Sequence, residues 1–119
     1  MAEYRLGEVE KEFADIIWDN EPLASGELAK RCMEVLGWKK STTYTVLKRV
    51  CERGLFCNEE GVVRSLVTRD EFLAGRCDQF VQETFDGSLP GFIAAFTRQR
   101  KLSEEEIGEL LDIIEQSRR

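Results

Sequence analysis

The stretch GWKKSTTYTVLKRVCERGLF, Gly37–Phe56, has two unlike faces when wound as a helix. Thr43, Val46, Leu47, Val50 and Cys51 recur at the i, i+3, i+4, i+7 and i+8 spacing of one buried side. At about 100° per residue the opposite side collects Ser41, Thr42, Thr45, Lys48 and Arg49, with Tyr44 on the flank. Ser41 is placed to cap this helix and Gly54 to end it. The stretch also holds five basic residues, Lys39, Lys40, Lys48, Arg49 and Arg53, against one acid, Glu52, in a chain of 17 basic and 23 acidic residues with net charge -6. Such a helix is either a core element with a solvated basic back or a reader of nucleic acid.

The flanking segments favour the second. Upstream, Val9, Phe13, Ile16 and Ile17 mark an amphipathic helix ending near Trp18 to Asn20, and Pro22 breaks the pattern. Ser25 is a candidate N-cap for a second helix with Leu28, Ala29, Cys32, Met33 and Leu36 as its stripe, stopped by Gly37. Downstream, LFCNEEGVVRSLVT offers two short runs rich in β-formers, separated by NEEG, which read as a β-hairpin. Helix, helix, short turn, helix and hairpin is the order of a winged helix-turn-helix, whose third helix enters the DNA major groove.

The remainder reads as helical. Thr68 with Glu71 forms a capping box ahead of Leu73, Cys77, Phe80, Val81, Thr84 and Phe85. Ser88 starts a helix with Leu89, Phe92, Ile93 and Phe96 on one side, and DGSLPG before it is a corner rather than a linker. Ser103 with Glu106 is a second capping box, stapled by Leu102 and Ile107, opening a stripe of Ile107, Leu110, Leu111 and Ile114. These stripes exceed what the segment can enclose by itself. A symmetric homodimer, using Phe80, Phe85, Leu89, Phe92, Ile93, Phe96, Ile107, Leu110, Leu111 and Ile114, is therefore expected to bury them. The expected class is mainly α with a small β-hairpin: a winged-helix DNA-binding domain over residues 1–68 and a helical dimerisation region over 69–119.

Composition narrows the chemistry. No histidine is present, and Cys32, Cys51, Cys57 and Cys77 show no Cys-x-x-Cys spacing, so neither a metal site, a cofactor nor histidine-dependent hydrolase chemistry is expected. Cys32 and Cys51 fall on buried stripes, whereas Cys57 in the hairpin is expected to be exposed and open to oxidation. Trp18 and Trp38 adjoin apolar stripes and read as core. No window nears the ~20 apolar residues of a membrane span, and the charged N-terminus does not read as a signal peptide, so a cytoplasmic protein is expected.

The chain resembles the penicillinase-repressor (BlaI/MecI) family with its copper-responsive CopY branch. The likeness lies in LGEVEKEFADIIW, in W-x3-T-T-x-T-V-L-x-R-V-x-x-R-G from Trp38 to Gly54, in DQFVQETFDGSLPGFIAAF and in KLSEEEIGELLDII. It implies a dimeric bacterial transcriptional repressor. In β-lactam-responsive members, a sensor metalloprotease in the membrane triggers repressor cleavage; by position the bond is Ala95–Phe96, with Ala95 standing where the family usually has Asn. Ser41 replaces a usual Lys, which Lys39 and Lys40 stand near enough to replace, and the wing has SLVT after Arg64 and acidic Glu59 and Glu60 at its turn. The Cys-x-Cys tail of the copper branch is absent, so copper sensing by that motif is not expected.

On this reading Thr42, Tyr44 and Thr45 reach base edges, Lys39, Lys40, Lys48 and Arg64 hold phosphates, Ser41 lies among them, and Arg49 either binds phosphate or braces the turn. The partners are double-stranded operator DNA, a second copy and a regulatory protease. The alternative is a winged-helix module that docks a protein and reads no DNA sequence, a reading the net charge and acidic wing turn favour.

Overall fold

The computed structural model describes residues 3–118. Its elements are α1 (Glu8–Asn20), β1 (Leu23–Ala24), α2 (Ser25–Leu36), α3 (Lys40–Glu52), β2 (Phe56–Glu59), β3 (Val62–Ser65), α4 (Arg69–Phe85), α5 (Leu89–Gln99) and α6 (Glu104–Gln116). The class is as expected: mainly helical, with a small antiparallel sheet.

The chain divides into two compact units between Gln79 and Phe80, inside α4. The first unit thus takes in the opening turns of α4. The physical reason is Phe72, which is fully buried in the first core and ties the opening turns of α4 to it.

In the first unit, α1, α2 and α3 close over a core that includes Phe13, Ile17, Leu28, Leu47, Val50 and Phe56. Both tryptophans belong to its edge. Trp38 stacks on Phe13 at 5.5 Å between ring centroids, and Trp18 lies 5.3 Å from Phe56 and 5.5 Å from Phe72 while its Nε1–H donates to the Val67 carbonyl at 3.0 Å. Gly37 ends α2 with φ of 69°, and its N–H reaches back to the Met33 carbonyl.

Three local readings are corrected. Ala24 and Lys39 occupy the N-cap positions of α2 and α3, neither with a side-chain cap, so Ser25 and Ser41 stand inside their helices. Ser25 is otherwise engaged: its N–H donates to the Gly61 carbonyl at 2.8 Å and its Oγ accepts from the Tyr44 hydroxyl at 3.3 Å. Val9 and Met33, assigned to apolar stripes, are 53% and 56% exposed, because each helix meets the core along a narrower arc than its apolar residues span. Leu73, Cys77 and Thr84 on α4 are exposed as well, since Phe72 is the residue of that helix that enters the first core.

The hairpin forms with a tighter turn than expected. Glu59 pairs with Val62, leaving only Glu60 and Gly61 in the loop, at φ of 51° and 81°. That is the two-residue turn whose twist suits antiparallel strands. A third strand, β1, joins the outer side of β3 through Leu23↔Val63, so the sheet order is β1-β3-β2. Two residues are too short to show an alternating pattern, which is why the sequence did not reveal it.

In the second unit, Phe85 lies 5.9 Å from Phe80 and 5.7 Å from Phe92, with Phe96 6.1 Å beyond. The Ser88 hydroxyl caps α5 by accepting from the Gly91 N–H at 3.0 Å, and Ser103 and Glu106 form the expected capping box of α6. Neither α5 nor α6 has a buried residue. The described residues contain no helix long and apolar enough to cross a membrane.

Candidate nucleic-acid interface

The core side of α3 is fixed by Thr43, Val46, Leu47 and Val50, all buried. Thr43 Oγ1 has no oxygen or nitrogen partner; it faces the Cys32 thiol, whose pKa burial pushes up while the Thr43 hydroxyl moderates the rise. With that side locked, the exposed residues of α3 have one orientation. Ser41, Thr42, Thr45, Lys48 and Arg49 are all exposed, as is Lys39 just before the helix, and Tyr44 is half-buried.

The five cations of the opening stretch separate into two groups. Arg53 reaches back to α1, with a guanidinium nitrogen 3.0 Å from Glu10 Oε1 and hydrogen-bonded to the Arg5 carbonyl. Arg49 leans the same way, 3.7 Å from Glu10 Oε2. Burial raises the Glu10 pKa, but the Gly7 N–H, the Arg53 guanidinium and Arg49 together outweigh it and hold the carboxyl below its usual 4.5. These arginines link α3 to α1 through Glu10. The remaining group is Lys39, Lys40 and Lys48. Lys39 and Lys48 have no ion pair among the described residues, and Lys40 Nζ sits 6.0 Å over the Tyr44 ring.

Hydroxyls complete the face. The Thr42 side chain has no hydrogen-bond partner among the described residues, whereas the Thr45 hydroxyl donates to the Ser41 carbonyl at 2.9 Å and so presents its methyl group and lone pairs outward. Tyr44 is held by Ser25, a contact that sequence reading missed because Ser25 was assigned as a cap. The same Ser25 binds the wing turn through Gly61, so one residue of α2 ties the hairpin to the outward side of α3.

The wing is less cationic than its arginine suggests. Arg64 pairs with Glu59 at 3.0 Å and stands opposite Cys57 in the β2–β3 register. The Cys57 side chain and the Glu59 carboxylate raise the pKa of Arg64, keeping it charged. Cys51 and Cys57 are half-buried, and burial pushes the Cys51 thiol up, with neighbouring Cys57 adding to the rise. Among the described residues no group of three or more Cys, Asp or Glu side chains is arranged to hold a metal ion.

Three helices, the third with its hydroxyl- and lysine-bearing side exposed, and a β-hairpin tied to it make the first unit a winged helix-turn-helix. Comparison with known proteins gives the family. A family profile described as penicillinase repressor matches residues 6–116. The penicillinase repressor of Bacillus licheniformis is 25% identical over 116 residues, covering 94% of this chain and 91% of that protein. The methicillin resistance regulatory protein MecI is 22% identical in Staphylococcus aureus strain Mu50 and 21% in Mammaliicoccus sciuri, each over 93% of this chain and 94% of the relative. The chain belongs to the penicillinase repressor family of transcriptional regulators.

Proposed function

We propose that the protein represses transcription by binding, as a homodimer in the cytoplasm, a palindromic operator whose half-sites lie about 34 Å apart. The observation that carries this reading is the outward side of α3: three lysines without carboxylate partners among the described residues, beside the hydroxyls of Thr42, Tyr44 and Thr45. Lys39, Lys40 and Lys48 bind phosphates and set position; Thr42, Tyr44 and Thr45 reach the base edges, with Ser41 among them. Arg64 reaches phosphate only by leaving Glu59, which makes the wing a weaker grip than α3. The chemistry requires no metal or cofactor, and the protein is not an enzyme.

Dimerisation is supported by the second unit. Leu89, Ile93, Phe96, Leu110, Leu111 and Ile114 are exposed large apolar side chains, the kind of surface that a self-complementary interface buries. Phe80, Phe85, Phe92 and Ile107 belong to the same proposed interface. Release from DNA by a regulatory protease acting at Ala95–Phe96 fits this arrangement. The bond lies within α5, and cutting it separates Phe96 and α6 from the preceding apolar residues.

Thr45→Glu tests the reading face. The variant is expected to keep the wild-type circular dichroism and melting temperature while losing specific operator binding at least 100-fold. Retention of specific binding would remove α3 from the interface. Salt-insensitive capture of a protein instead of DNA would favour the interaction-module alternative.

A further inference from the structure

A cleft of about 240 Å³ runs between α3 and β2, lined by Tyr44, Leu47, Lys48, Cys51 and Asn58. Of these, Leu47 is buried, Cys51 and Tyr44 are half-buried, and Lys48 and Asn58 are exposed. Among the described residues, exposed Lys48 has no ion pair and the carboxamide of exposed Asn58 has no hydrogen-bond partner. Tyr44 is immobilised from behind by Ser25, and Ser25 also holds the wing turn, so the two walls of the cleft are tied to each other. The Asn58 carboxamide and the Lys48 ammonium line the same cleft, and neither is engaged with another side chain among the described residues. Asn58 pairs across the hairpin with buried Val63, and its backbone alone serves that pairing.

We infer that this cleft binds a single phosphodiester of the DNA backbone, with Lys48 neutralising the charge and the Asn58 amide donating the second hydrogen bond. The inference rests on the operator-binding reading and adds Asn58, a wing residue outside the α3 face, to the contact set. An ammonium and a carboxamide on opposite walls suit a tetrahedral anion carrying two free oxygens. Acidic Glu59 and Glu60 lie beyond Asn58 at the wing turn, so the sequence concentrates its phosphate grip at this inner position and not at the tip.

The test compares wild-type protein with Asn58→Ala, Asn58→Asp, Lys48→Ala and the Lys48→Ala/Asn58→Ala double variant on the protein's own upstream promoter DNA. Binding is read by anisotropy across salt concentrations, together with phosphate-ethylation interference. Asn58→Ala is expected to weaken binding several-fold on operator and random DNA alike, and Asn58→Asp more strongly. Lys48→Ala should reduce the log–log salt slope by about 0.9. The double variant should lose less than the product of the two single losses, and one ethylation-sensitive phosphate should disappear from the footprint of both single variants. Wild-type binding to the operator with an unchanged footprint and affinity for both Asn58 variants overturns the cleft while leaving operator binding intact. Failure of the wild type to bind any DNA overturns both.

Discussion

Gly75 sits on α4 where a Cβ would overlap the ring of Tyr4, which itself packs 6.3 Å from the buried Phe72 ring. Ordinarily Gly→Ala in a helix gains about 0.5–1 kcal/mol. Overpacking against an aromatic ring costs about 1–3 kcal/mol, so the net expectation for Gly75→Ala is a loss of about 1 kcal/mol. Chemical denaturation checks it, and the same change made in a Tyr4→Ala background should turn neutral or stabilising. Glu10 gives a second residue-level expectation. Its carboxyl is held below the usual 4.5 in the folded protein, so its ionised form stabilises the fold above that pH, and the contribution fades as pH falls through the lower, folded value. Glu10→Gln should cost about 1 kcal/mol at pH 7, and the gap from wild type should close as the pH drops well below 4.5. A gap that stays constant from pH 7 to pH 3 would rule out the charged brace to Arg49 and Arg53.

At the scale of elements, α3 and α2 differ in how far periodicity predicts packing. On α3 every aliphatic residue of the apolar stripe is buried, because the helix meets α1, α2 and the sheet along the full stripe. On α2 the stripe is wider than its contact, and Met33 lies outside it. Leu47→Ala should therefore cost about 3 kcal/mol. Met33→Ala should stay within about 0.5 kcal/mol, which urea unfolding of the two variants will distinguish. The same contrast explains what was legible in the sequence. The helices, both capping boxes and the hairpin follow from spacing and turn chemistry within a few residues of one another. The misassigned cap at Ser25 and the missing strand both involve residues whose partners are far away in sequence: Ser25 with Tyr44 and Gly61, and Leu23 with Val63. So does the brace, since nothing local to Arg49 or Arg53 points to Glu10.

For the whole molecule, charge distribution matters more than total charge. In a chain of net charge -6, Lys39, Lys40 and Lys48 have no ion pair among the described residues, while Arg49, Arg53 and Arg64 are paired with carboxylates. The second unit complements this with an apolar surface that two copies would share. Sedimentation should give twice the 13.7 kDa chain mass, and Ile93→Asp with Leu111→Asp should yield a monomer that retains the folded first unit. The account stands or falls on specific DNA binding. The direct measurement is a gel shift of the folded dimer with its own upstream promoter DNA at two salt concentrations, with excess random DNA as competitor. The predicted result is a shift that survives the competitor and weakens steeply with salt, by a log–log slope of about -0.9 per phosphate contacted. A shift erased by random DNA, or none from this promoter or from a random-site selection, would contradict it.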